Sequence, residues 1–134
     1  MGNRAVLTTS TTTEGFGIYL HWNGGLESVV AFLDAARDRG YRNPDSDEVY
    51  AMARLCGLIH EFFGVEGSAS LGIGCLETLD CNNSQNGVYV IGDNWSIIDR
   101  WGDGSVPVSP SDIEAVRQSE KYNNIINQLK LETV

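Results

Sequence analysis

The chain of 134 residues carries 9 Lys and Arg against 18 Asp and Glu, a formal charge of −9 at pH 7. That length sets the expectation of one domain over residues 1–134 with a single core, and the acidic balance argues against long nucleic acid as a partner, because phosphate contacts need a basic surface. No apolar run approaches the roughly 18 residues of a membrane helix; there is no signal-peptide pattern, and Val6 makes Met1-Gly2 a poor myristoylation signal.

Cys56, Cys75 and Cys81 form no Cys-x-x-Cys and have no nearby His pair. Reduced thiols in a cytosolic protein are therefore expected, with no disulfide framework, metal or cofactor.

Residues Arg4 to Thr12 are β-branched and Thr-rich, and read as a strand. A turn at Thr13-Glu14-Gly15 leads to a second alternating strand, Phe16 to Trp22, so the chain opens as a hairpin. After Asn23-Gly24-Gly25, the residues Leu26, Val29, Val30, Leu33 and Ala36 recur at helical spacing up to Gly40. Asp45 with Glu48 resembles a capping box for a second helix, whose stripe of Val49, Met52, Ala53, Cys56, Ile59, Phe62 and Phe63 ends at Gly64.

One strand is expected between Ser68 and Leu79, and two more after the polar stretch that follows. Gly92-Asp93-Asn94 makes those last two an antiparallel pair. Ser111 to Glu114 reads as a capping box opening a C-terminal helix with Ile113, Val116, Ile125, Ile126 and Leu129. The order β-β-α-α-β-β-β-α predicts an α+β fold, an antiparallel sheet covered by helices.

The densest chemistry lies between Asp80 and Asn86, where Asn82, Asn83, Gln85 and Asn86 follow one carboxylate. The stretch reads either as a directed hydrogen-bonding surface, since each amide both donates and accepts, or as a polar loop built for turn geometry. Trp22, Asn23, Gly24 and Gly25 admit a similar pair of readings. The glycine N–H groups and the Trp22 ring suit an anion and a base, yet a tight strand-to-helix turn explains them equally. Arg100, late in an apolar strand, is placed to pair with Asp99 or Asp80 or to meet a ligand phosphate. His60 reads as a partly buried structural residue of its helix, and no Walker loop, serine elbow or calcium loop is present.

The segments Gly2 to Val6, Ile18 to Gly25, Leu79 to Asn83 and Asn86 to Ile91 together resemble a family of small proteins carried by bacteriophages, prophages and other mobile elements. Within it the chain is similar to the phage anti-Thoeris sponges, which sequester cyclic ADP-ribose isomers made by TIR-domain defence proteins without degrading them. Some members also hold cyclic oligonucleotides at a separate site.

The resemblance spans roughly Gly2 to Trp101 and implies a non-enzymatic homo-oligomer, a dimer or higher, in the host cytosol. Asn83 and Arg100 match family residues that contact the ligand. Trp22, Asn23, Gly24, Asp80, Asn82, Asn86 and Trp101 complete the expected ligand-binding set, and Trp22, Trp95 and Trp101 suit an interface or a ligand platform. The segment after Trp101 matches nothing in the family. A second reading is a counter-defence protein whose acidic surface occludes a host defence protein directly. A small hydrolase using Asp80 or His60 is a third.

Overall fold

The computed structural model describes residues 2–67 and 70–130. β1 (Ala5–Thr8) and β2 (Phe16–Leu20) form the expected opening hairpin, with Ala5 opposite Leu20 and Thr8 opposite Gly17. There follow α1 (Leu26–Asp38), α2 (Glu48–Gly67), β3 (Leu71–Cys75), β4 (Val88–Ile91), β5 (Ile97–Trp101), α3 (Pro110–Arg117) and α4 (Glu120–Leu129). The fold is α+β, with helices on one face of a five-stranded sheet of order β3-β2-β1-β4-β5. Ser68 and Ala69, at the start of the stretch expected to hold one strand, lie outside the described residues.

The sheet is mostly antiparallel, but its centre is not. β4 runs parallel to β1, with Val6 opposite Val88 and Thr8 opposite Val90. β3 takes the outer edge of β2, so the chain passes across the sheet to the free edge of β1 and arrives there running in the same direction. Parallel neighbours need a crossover of a dozen or more residues, usually a helix. Here the crossover is the polar stretch from Leu76 to Gly87.

Alternation sorts the strands between two apolar layers. Leu7, Ile18, Leu20, Tyr89 and Ile91 meet α1 and the other helices. Val6 and Val88 meet Leu76 and Cys81 on the opposite face, with Tyr19, Leu79 and Trp101 packed against them. β1 is buried on both sides, which explains its continuous apolar start.

The first strand, expected to run to Thr12, ends at Thr8, and other local expectations shift by a residue or two. Asp47, not Asp45, meets the start of α2: its Oδ1 accepts from the Tyr50 N–H at 3.3 Å, while the Asp45 N–H donates to Asn43 Oδ1 at 3.1 Å. Gly64 does break the helical path, at φ 72°. The C-terminal helix is two helices. Ser109 caps α3 through a reciprocal pair with Asp112, ahead of the expected Ser111, and Ser119 caps α4.

Trp95 sits in a single 3-10 turn between β4 and β5 rather than in a strand. It is 2% exposed, and its indole N–H donates to the Tyr41 carbonyl at 3.2 Å. That burial makes it part of the core and removes it as an interface platform. His60, expected partly buried, lies on the exposed side of α2.

α3 buries none of its residues; a polar hub ties it and α4 to α1. The Asp34 carboxylate accepts from Arg117 Nε at 2.9 Å, Arg117 Nη2 at 3.0 Å, Arg37 Nη1 at 2.7 Å and the Tyr122 hydroxyl at 2.5 Å. Burial acts to raise the Asp34 pKa, but the hydrogen bonds from Arg117, Tyr122 and Arg37 outweigh it and hold the carboxyl below its ordinary value. A depressed native pKa gives stability that is present above the unfolded value of about 3.9 and lost as pH falls through the native one.

Asp34→Ala is expected to lower stability at pH 7 by about 1.5–3 kcal/mol, the range for charge-assisted hydrogen bonds. Urea titrations at a series of pH values should show that deficit shrinking below pH ~4; a deficit equal at pH 7 and pH 3 would show that the carboxylate is not its source.

Candidate functional site

The amides between Asp80 and Asn86 point mostly inward. Asn83 is 1% exposed. Its Oδ1 accepts from the backbone N–H groups of Gln85, Asn86 and Gly87 at 3.1, 3.0 and 2.9 Å. Its Nδ2 donates to the carbonyls of Asp80 and Gly87 at 2.9 and 3.2 Å. One side chain thus replaces the ladder that the crossover lacks beyond its single 3-10 turn at Leu76–Thr78. These bonds use both of its amide hydrogens and load its oxygen with three donors, so Asn83 holds the loop rather than facing a cavity.

The neighbouring amides fasten the loop to the N-terminal segment. Gln85 Oε1 accepts from the backbone N–H and Nε of Arg4 at 2.7 and 3.0 Å, and Gln85 Nε2 donates to the Gly2 carbonyl at 2.6 Å. Asn86 Nδ2 donates to Asn3 Oδ1 and the Arg4 carbonyl at 2.7 and 2.9 Å. Arg4 pairs with Asp80 at 2.9 Å. Asn82 Oδ1 accepts from the Asp103 N–H at 3.0 Å.

Gly24 is tied down in the same way. Its N–H donates to the Asn3 carbonyl at 2.8 Å, and its carbonyl accepts from the Tyr89 hydroxyl at 2.8 Å. An added Cβ would lie 2.6 Å from the Asn3 oxygen and 2.7 Å from Ala5 Cβ, so packing alone demands glycine here. Asn23 takes a left-handed conformation, φ 61°, and its amide reaches Ser28 Oγ at 3.2 Å. Trp22 is exposed, at 46%, while Trp101 packs on the sheet face away from the helices with its indole N–H 3.4 Å from the Ser10 carbonyl.

Arg100 behaves differently. It pairs with neither Asp80, which Arg4 holds, nor Asp99, whose Oδ1 accepts only the Arg100 backbone N–H at 2.9 Å. Its guanidinium lies 3.8 Å over the centre of the Tyr89 ring, directly across the β4–β5 register. Nη1 donates to the Val106 carbonyl at 3.0 Å and Nη2 to the Asn86 carbonyl. Nε is buried with no hydrogen-bond partner among the described residues. Burial lowers its pKa from the ordinary value, opposed by Tyr89. Burial likewise pushes the Tyr89 hydroxyl up to about 12, so it stays a neutral donor.

Arg100, Tyr89, Asn86 and Gln85 line an open cavity of about 430 Å³, whose other walls are Leu26, Gly104 and Val106 to Val108, and Asp112, Ala115 and Val116 of α3. Of the expected ligand set, Asn86 and Arg100 meet here, while Trp22, Asn23 and Gly24 do not line the cavity, although Leu26, just beyond that segment, does. Asp80, Asn82, Asn83 and Trp101 lie elsewhere, in the loop and on the sheet face opposite the helices.

Tyr89 and the whole α3 wall went unread in the sequence. For Tyr89 the signal was there: period-two alternation in Val88 to Ile91 aims it at the helices beside whichever residue of β5 pairs with it. For α3 nothing in the local sequence placed it against Arg100. Of the two residues named for a hydrolase, Asp80 belongs to the loop on the open sheet face and His60 to the exposed side of α2, and neither lines the Arg100 cavity. Among the described residues no cluster of three His, Cys, Asp or Glu could hold a metal ion, and no helix is long and apolar enough to cross a membrane. Burial, with Asp80 adding to it, raises the Cys81 pKa and keeps the thiol protonated.

No protein-family model, curated protein or solved structure matches the chain.

Asn83→Ala is expected to destabilise the protein by at least about 2 kcal/mol, because one buried and two part-buried N–H groups lose their acceptor and an unsatisfied buried group costs about 1–3 kcal/mol. Asn82→Ala, which removes one exposed contact, should stay within about 0.5 kcal/mol of the parent. Chemical denaturation of both variants checks the contrast, and equal stability would contradict the assignment of Asn83 as the loop's anchor.

Proposed function

We propose that this protein is a non-enzymatic sponge, one that binds a small cyclic nucleotide signal of the cyclic ADP-ribose class and holds it unaltered in the cytosol of an infected cell. The observation that carries this reading is Arg100: a half-buried guanidinium whose Nε is buried without a hydrogen-bond partner and which forms no ion pair among the described residues, at the wall of a cavity, in a chain of net charge −9. A partly desolvated cation without a counter-charge gains from one, and an anionic ligand supplies it. The cavity volume falls within the range of about 300–1,000 Å³ usual for small-ligand sites. Its apolar lining from Leu26, Val106, Pro107, Val108 and Val116 suits the flat faces of a nucleoside.

Retention without turnover is consistent with how the ionisable groups of that wall are engaged. Tyr89 donates its proton to the Gly24 carbonyl. Asp112 Oδ2 accepts from the Ser109 N–H at 2.9 Å. Each polar group serves the scaffold, and the ligand's own phosphate and hydroxyls complete what remains. Rejection of a close analogue would then follow from leaving Arg100 Nε without a partner.

The test is to incubate the protein with a cyclic ADP-ribose isomer, remove free ligand, denature by heat and assay the supernatant. Intact signal is the expected result. A degraded signal identifies an enzyme, and a signal never retained identifies a protein-directed inhibitor acting through its acidic surface. Arg100→Ala should weaken retention at least tenfold, the loss of one charge-assisted contact of about 1.5–3 kcal/mol. Retention equal to the parent's would move the ligand out of this cavity.

A further inference from the structure

The two edges of the sheet differ in a way that assigns one of them a partner. β5 carries Asp99 and Arg100, its register with β4 is broken between Val90 and Ile91, and Arg100 reaches over to the Val106 carbonyl in the segment running past it. Charge, irregular register and a covering segment are the usual devices that stop an edge strand from pairing. β3, at the other edge, reads Leu71-Gly72-Ile73-Gly74-Cys75, without charge or proline, and its register with β2 is unbroken from Leu20–Leu71 to Phe16–Cys75. Ile73 is 59% exposed and Cys75 is exposed.

The hydrogen-bond phase of β3 is fixed at both ends. The His21 N–H donates to the Ser70 carbonyl and the Leu76 N–H donates to the Gly15 carbonyl, each at 2.9 Å. Ser70, Gly72, Gly74 and Leu76 are therefore the residues bonded to β2. Antiparallel alternation turns the N–H and C=O groups of Leu71, Ile73 and Cys75 outward, away from the sheet.

We propose that this edge docks on β3 of a second copy of the chain, antiparallel, with the two-fold axis at Ile73, so that one sheet continues through both protomers. A two-fold interface must be complementary to itself, and β3 is. Glycine alternates with a side-chain-bearing residue in both directions from Ile73, Leu71 answering Cys75. In this register Ile73 exchanges both main-chain bonds with Ile73 of the second copy, and Leu71 does so with Cys75. Every outward donor finds an acceptor; the Cys75 carbonyl, which already accepts from Thr78 Oγ1 at 2.8 Å, contributes its second lone pair. A one-residue slip would set each outward group against a glycine already bonded to β2, and a two-residue slip would strand one end. The absence of charge within the strand matters as well, because two chains of −9 repel and β3 itself adds no like charge to the contact.

The inference stands apart from the ligand reading, and its test needs no ligand. Sedimentation across the micromolar range should show a dimer that strengthens with added salt. Ile73→Pro removes an outward N–H and no bond to β2, as edge strands allow. It should raise the dimer dissociation constant at least tenfold with an unchanged melting temperature and circular dichroism spectrum. In a Cys75→Ser background, Ile73→Cys should form a disulfide to itself across the axis on mild oxidation, identified by peptide mass mapping. A monomer at every concentration overturns the proposal, as does a dimer that Ile73→Pro leaves intact or a dimer in which the position-73 link never forms.

Discussion

β3 occupies the outer edge of β2, and the chain next adds to the sheet at the free edge of β1 rather than beside β3, so it crosses the face that the helices leave open. The parallel pairing of β1 with β4 follows from that path, and much of the molecule follows from the pairing. The crossing segment has no ladder of its own. Asn83 supplies one, Gln85 and Asn86 bind the segment to residues 2–4, and Leu76, Leu79 and Cys81 put its apolar side on Val6 and Val88. An amide-rich sequence is what a long irregular crossover over a hydrophobic face requires, since each backbone group removed from water needs a partner.

The cations of this acidic protein divide by what they meet. Arg4, Arg37, Arg39, Arg42 and Arg117 each reach a carboxylate. Arg37 and Arg117 converge on Asp34, which fixes the C-terminal helices although α3 buries no side chain of its own. Arg100 instead lies on an aromatic ring and two carbonyls. Those dipoles orient the guanidinium without neutralising it, the arrangement expected where charge is reserved for something outside the chain. The last strand and α3 together make that environment, so the C-terminal segment belongs to the candidate site as well as to the fold.

The edges complete the same logic. Covering β5 with the segment after Trp101 both protects that edge and builds a wall beside Arg100, whereas β3 keeps its outward backbone groups and an exposed Ile73. Glycine at 72 and 74 leaves the opposite face of β3 flat beside Tyr19, which suits continuation of the sheet.

Local signals in the sequence determined the elements: period-two runs gave the strands, the 3.6-residue stripes gave α1 and α2, and glycines marked their ends near Gly40 and Gly64, although Val49 and Ala53 of the α2 stripe are exposed and Ala51, Leu55 and Leu58 are buried instead. They also determined the α+β class and the antiparallel pairing of the last two strands, because a short connection leaves no other geometry. Cap positions slipped by two residues, since Asp45 and Asp47, or Ser109 and Ser111, offer the same oxygen at neighbouring places and only backbone geometry selects between them. Candidate ligand residues were legible as residue types, with Arg100 and Asn86 reaching the cavity. The orientation of Asn83 was not legible, because an amide that serves a ligand and an amide that serves its own loop look alike in one dimension. The neighbours of β1, the Tyr89–Arg100 stack and the α3 wall were decided by tertiary structure alone. Each depends on which distant segments share an edge or a face, and local periodicity carries no record of that choice.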